Sequence, residues 1–132
     1  MKLTIFTDGG ARGNPGPAAA GVVIKNEKSK ILAAFGRYLG ETTNNQAEYH
    51  ALILALEHAW ELGGTEITCF ADSELMVKQL NREYRVRDKD LAPLFLKIWN
   101  LSTRFKKISY GHIPREKNKE ADELVNQALD DR

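Results

Sequence analysis

Apolar and polar residues follow two different periods along this chain, and the change from one to the other divides it. Lys2 to Asp8 is a β-rich run that ends in an acid. Ala19 to Lys25 and Ile31 to Tyr38 read as two more strands, joined by the polar turn Asn26-Glu27-Lys28-Ser29. Between the first two strands, Gly9 to Pro17 (GGARGNPGP) is a dense turn signal. Three strands with short connections predict an antiparallel meander. From Ala47 the apolar positions Ala51, Leu54, Ala55 and Leu62 keep the 3.6-residue period of a helix. Thr42, Thr43 and Asn44 offer its cap, and Gly63-Gly64 stops it. Glu66 to Ala71 is a fourth strand, and a short helix runs from Ser73 to about Arg82. Asp90 to Phe105 carries the helical stripe Leu91, Leu94, Phe95, Ile98, Leu101 and Phe105; Lys107 to Ile113 is a fifth strand and Lys119 to Leu129 a last helix. The order β-β-β-α-β-α-α-β-α predicts an α/β fold with parallel crossovers and helices on both faces of the sheet.

The 132 residues, 42% hydrophobic and 28% charged, predict one domain spanning 1–132 with its own core. Met1 and the complete set of elements predict a free protein rather than a piece of a larger enzyme, and a monomer. The single cysteine, Cys69, has no disulfide partner within the chain. With no apolar run of signal or membrane-spanning length, this predicts a cytoplasmic protein with no membrane partner. Net charge is only +1 but unevenly placed. Lys78, Arg82, Arg85, Arg87, Lys89 and Lys97 make one stretch basic, while Glu116, Glu120, Asp122, Glu123, Asp130 and Asp131 make the C-terminal segment acidic. A basic flank beside an acidic site steers a polyanion; a solvated helix face has the same composition.

Four acids stand where a core does not want them. Asp8 and Asp72 end two strands that a parallel crossover sets side by side, about 4.8 Å apart, at the edge where open α/β sheets bind ligands. Glu48 shares its helix face with Ala51, Leu52, Ala55 and Ala59, so its carboxylate is expected to point at the sheet. Asp122 repeats that pattern with Val125 and Leu129. Buried carboxylates persist when they pair or hold a metal. Each acid also has a plainer reading: Asp8 and Asp72 as turn formers, Glu48 as the partner of Arg12 or Arg37. Four convergent acids without a buried base fit a hard cation, Mg²⁺ or Mn²⁺, better than zinc.

TDGGARGNPGPAAAGVVI, TTNNQAEYHALILAL, ADSELMVKQL and NKEADELVNQAL, in that order, resemble ribonuclease H type 1, in the short form that lacks a basic handle. The resemblance implies a five-stranded mixed sheet ordered 3-2-1-4-5 with strand 2 antiparallel. It implies that Asp8, Glu48, Asp72 and Asp122 hold two Mg²⁺ ions, with Mn²⁺ as a substitute, Asp8 serving both. The implied reaction is hydrolysis of the RNA strand of an RNA–DNA hybrid to 5′-phosphate and 3′-hydroxyl ends. The missing handle leaves double-stranded RNA as a possible second substrate. Substrate contacts are implied for the backbone of Arg12 and Gly13, for the amides of Asn14, Asn44 and Asn45, and for Thr43 at a DNA phosphate. Asn44 and Asn45 also suit helix capping.

Two positions depart from the family pattern by adding negative charge near the polyanion, Glu41 and Glu74. Longer relatives use a histidine on a loop before the last acid. Here His112 stands ten residues before Asp122, but Pro114 places it within the fifth strand. A shortened loop instead leaves Arg115 as the charged residue near the site, either facing substrate or pairing with Glu116 or Glu120. His50 and His58 are expected to be packing or surface residues. The alternative to a hydrolase is a non-catalytic hybrid-binding module; such a module usually lacks one of the acids, and all four are present.

Overall fold

The computed structural model describes residues 1–132. Strands β1 (Lys2–Ala11), β2 (Gly16–Lys25) and β3 (Ile31–Thr42) form the meander, followed by helix α1 (Asn44–Glu61), strand β4 (Glu66–Ala71) and helices α2 (Glu74–Leu80) and α3 (Ala92–Ser102). Strand β5 (Lys107–His112), a single 3₁₀ turn (Arg115–Lys117) and helix α4 (Lys119–Asp130) complete the chain. The sheet order is β3-β2-β1-β4-β5. β2 is antiparallel to both neighbours, and the β1–β4 and β4–β5 pairings are parallel. This is the predicted topology. No helix is long and apolar enough to cross a membrane.

The meander is longer than the sequence pattern predicts. Turn-forming Gly9 to Pro17 was expected to break the first strand at Asp8, yet β1 runs to Ala11 and β2 begins at Gly16. The register continues Gly9↔Ala20, Gly10↔Ala19, Ala11↔Ala18. Strand pairing is made by backbone groups, so the ladder continues through these small residues and outlasts the composition signal. β3 likewise continues past Tyr38, Gly40 taking a positive φ of 81° near a register shift. The helix expected over Asp90–Phe105 is shorter, starting at Ala92 with Pro93 in its first turn.

The two faces of the sheet are set by neighbouring glycines. A Cβ on Gly9 would strike the backbone of Ala47 and Glu48 in α1, whereas one on Gly10 would meet only Val125 of α4, at 3.6 Å. Successive strand residues point to opposite faces, so α1 and α4 cover opposite faces. The α1 side holds the main core: Leu3, Ile5, Val22, Ile24, Ile67 and Cys69 of the sheet against Leu52, Ala55, Leu56 and Ala59, with Ile98, Leu101 and Phe105 behind. The alanine stripe of α1 lets the helix lie close to the sheet; Leu54 and Leu62, expected in that stripe, are only half-buried.

Candidate active site

The parallel ladder between β1 and β4 ends at Thr7↔Ala71, so Asp8 and Asp72 are the next residue on each strand. Asp8 itself stays in the antiparallel ladder, opposite Gly21. That glycine is also a seat, because a Cβ there would strike the Ala121 carbonyl at the start of α4. Gly9 and Gly21 therefore dock the first turns of α1 and α4 onto the sheet by backbone contact. The first of those turns leads directly into Glu48, and the second carries Asp122. A capping box holds the first of them: the Thr43 hydroxyl accepts from the Gln46 amide at 3.2 Å, and the Gln46 side chain accepts from the Thr43 amide.

Carboxylate oxygens of Asp8, Glu48 and Asp72 all lie within 4.8 Å of one another. Asp122 lines the same cleft, a cavity of about 410 Å³ that also includes Arg12, Asn44 and Arg115. Asp8 and Glu48 are buried and Asp72 half-buried. Neither Arg12 nor Arg37 pairs with Glu48, contrary to its plainer reading; Arg12 reaches Asp130 instead, at 2.7 Å. Burial first, and then the charge of Asp72, pushes the Asp8 carboxyl up to about 7. Burial, then the charges of Asp8 and Asp72, pushes Glu48 well above the usual carboxylate range. Glu48 Oε2 is buried with no hydrogen-bond partner.

An unpartnered buried oxygen beside two other carboxylates is costly as it stands and is resolved by a cation. Two metal–oxygen bonds of about 2.1 Å span about 4.2 Å, close to the observed spread of the three acids. The donor set is all oxygen, which suits a hard divalent ion. The group fits the residues present.

Asn118 is the residue that sequence reasoning missed. It is 2% exposed, and its Nδ2 donates both to the Thr7 carbonyl (2.8 Å) and to Asp72 Oδ2 (3.2 Å). Its own carbonyl accepts from the Asp122 amide at 3.1 Å. One buried residue thus ties three elements together: its side chain bonds β1 and the acid after β4, and its backbone carbonyl bonds the first turn of α4. The available signal was an asparagine four residues before an acid at a helix start, a spacing that also reads as an ordinary cap.

The remaining expected residues divide. Arg115, on the 3₁₀ turn, lines the cleft with Nη2 3.8 Å from Asp122 Oδ1, and pairs with neither Glu116 nor Glu120. His112 is the exposed last residue of β5 and does not line the cleft. Its expected place in the strand holds. Asn44 Oδ1 accepts from the Ala11 amide (2.8 Å), and Asn14 Oδ1 accepts from the Asn44 amide (3.0 Å). These bonds fasten the exposed Arg12–Pro15 turn, with Gly13 at φ 108°, to the start of α1. The helix cap is Thr43, so neither Asn44 nor Asn45 caps it. Thr43, Asn45, Gly13 and Asn14 lie outside the cleft lining. Of the two departures, Glu74 pairs with Lys78 at 3.0 Å, and Glu41 is exposed on β3.

The pattern of the family described as reverse transcriptase-like matches residues 6–128. Ribonuclease HI of Halobacterium salinarum is 45% identical over 130 residues, covering 98% of this chain and 65% of its own length. A bifunctional protein of Mycobacterium tuberculosis is 42% identical over 131 residues, covering 98% of this chain but 36% of its own. The chain thus spans between about a third and two thirds of these longer relatives. Ribonuclease H of Chlorobium phaeobacteroides is 31% identical, covering 97% of this chain and 95% of its own. Among solved structures, the type 1 ribonuclease H of Halobacterium salinarum superposes with a TM-score of 0.98 at 43% identity, covering all of both chains. The LC11 type 1 ribonuclease H, crystallised with an RNA/DNA hybrid, gives 0.93 at 48% identity, covering 98% of this chain and 97% of its own.

Proposed function

This chain belongs to the ribonuclease H family, type 1, and from that premise we propose that it hydrolyses the RNA strand of RNA–DNA hybrids with two divalent cations. The observation that carries the proposal is the three-carboxylate group of Asp8, Glu48 and Asp72, within 4.8 Å and without a basic partner. Asp8, Glu48, Asp72 and Asp122 hold Mg²⁺, or Mn²⁺ in its place. Asp8 would be the shared ligand, since its carboxylate lies within 4.8 Å of those of Glu48 and Asp72 and lines the cleft with Asp122. Bound ions of this kind activate the attacking water and neutralise charge on the phosphate and on the leaving 3′ oxygen.

The chain's own residues do the rest. Asn118 fixes the Asp72 carboxylate relative to the β1 backbone, so the acids keep their spacing when the cleft is charged. Arg115, 80% exposed on its side chain and held only loosely by Asp122, is free to turn toward the scissile phosphate. It takes the accessory role in preference to His112, which lies off the cleft. The Nδ2 groups of Asn14 and Asn44 make no protein hydrogen bond, which leaves donors for sugar and base edges in the hybrid's minor groove. Arg12, Gly13, Thr43 and Asn45 flank that path. The products carry 5′-phosphate and 3′-hydroxyl ends, and residues 1–132 act as one domain, as a monomer in the cytoplasm.

The test is cleavage of end-labelled RNA–DNA hybrid, duplex RNA and duplex DNA with Mg²⁺ or Mn²⁺, beside Asp8→Asn. The expected result is cutting of the hybrid's RNA strand and a loss of at least about 10³-fold in the variant. Equal cutting of duplex RNA widens the substrate class. Hybrid binding with no cleavage under either metal replaces the proposal with a non-catalytic binding module.

A further inference from the structure

A second pocket, of about 500 Å³, has a character opposite to that of the acidic cleft. It lies between the end of α2, the chain after it and α3, with Val86, Ala92 and Phe95 contributing apolar lining. Tyr84 and Trp99 line it and remain 51% and 48% exposed, an unusual display for two large rings. One cation lies against each ring and leaves the rest of it open. The Arg82 guanidinium lies 4.9 Å from the Trp99 ring centre and Lys78 Nζ 5.0 Å from that of Tyr84. Arg85 adds a further charge to the lining. Arg82, at φ 62°, is the left-handed residue that ends α2, where the Glu83 amide donates to the Lys78 carbonyl at 2.8 Å, and it lines the pocket.

Exposed aromatic faces beside fixed cations match one ligand chemistry closely: a flat base with a phosphate attached. The location agrees. Helix α2 starts two residues after Asp72 and rises about 7.5 Å from Glu74 to Gln79, roughly two base-pair steps of a nucleic-acid duplex. Resting on the hybrid-hydrolysis reading for where substrate lies, we propose that this pocket receives an unpaired nucleotide flanking the hybrid. Its base stacks on Trp99 and Tyr84, and its phosphate meets Arg82 and Arg85. The chain then distinguishes a hybrid with a single-stranded flank from a blunt one.

Binding of hybrids tests this, using Asp8→Asn protein so that nothing is cut. Blunt hybrid is compared with hybrids carrying a four-nucleotide flank on either strand and at either end, by anisotropy of a label on the duplex. In a Trp60→Phe background, Trp99 is the sole tryptophan and reports stacking by quenching. The expected result is that at least one flanked hybrid binds about 5-fold or more tighter than the blunt one and quenches Trp99. Trp99→Ala brings that ratio to about one, and Arg85→Ala, on a charged side chain outside the core, lowers it as well. Equal binding of all hybrids, or a ratio kept in Trp99→Ala, overturns the proposal. So does quenching by an acidic, aromatic peptide without quenching by any flanked hybrid, which would assign the pocket to a protein partner. If wild-type protein cleaves blunt hybrid while no flank preference exists, only the pocket assignment falls; if no hybrid is bound or cut, the hydrolase reading falls with it.

Discussion

Asp8 shows most directly what the site costs the fold. Its carboxyl is raised from 3.8 to about 7, so between those values the folded chain keeps a proton that the unfolded chain has released. More protons bound in the folded state means stability falls as pH rises from about 4 to about 7, and then levels off. Metal-free protein should therefore melt lower at pH 8 than at pH 5.5. Asp8→Asn keeps the Oδ1 acceptor for the Gly9 amide, at 3.0 Å, and removes the charge. The variant should be about 2 kcal/mol more stable than the parent at pH 8 without metal, roughly 5–10 °C in Tm, with little gain at pH 4. Calorimetry at the two pH values checks this, and no gain at pH 8 would mean the acids do not repel as described. Glu48 was legible because an acid on an apolar helix face contradicts its surroundings, and Asp8 because it ends a strand where open α/β sheets bind ligands. Asn118 was not legible, because an asparagine before a helix satisfies the usual local rule and its contact with Asp72 spans 46 residues.

At the scale of elements, the helices stand where they do because the strand positions beneath them lack side chains, Gly9 under α1 and Gly21 and Gly36 under α4. Gly9→Ala would force the backbone of Ala47–Glu48 away from β1, while Gly10→Ala would make only an ordinary contact with Val125. The first change should cost about 3 kcal/mol in urea melts, with an unchanged m-value and a weakened response to Mg²⁺. The second should cost less than about 1 kcal/mol. Similar losses at both positions would refute the seating of α1. Element type and order could be read from periodicity, since each period persists over several residues. Element ends could not: the Gly-rich run between β1 and β2 has the composition of a turn, and only its cross-strand partners, Ala18 to Ala20, let the ladder continue through it.

For the whole molecule, the alternation of elements made the antiparallel meander and the parallel crossovers legible, whereas the order β3-β2-β1-β4-β5 was the one implied by the resemblance to ribonuclease H. The clefts were less so, since they form between elements far apart in sequence. A global consequence follows from placing mutually repelling acids where three elements meet. Divalent cations should raise the melting temperature at pH 8, by the equivalent of about 2.7 kcal/mol at one hundred times the dissociation constant. The rise should shrink toward pH 5 as protons compete for the carboxylates, and differential scanning fluorimetry would reveal it; an undiminished rise in Asp8→Asn would place the ion elsewhere. The glycine seats reach further still. Where a helix rests on a strand main chain to main chain, the gap between them is set by peptide dimensions rather than by the size of any neighbouring side chain. Conservative exchanges elsewhere in the interior, such as isoleucine for valine, can then accumulate without altering how far apart the reactive groups stand, so the surrounding sequence is free to drift while the chemistry keeps its gauge.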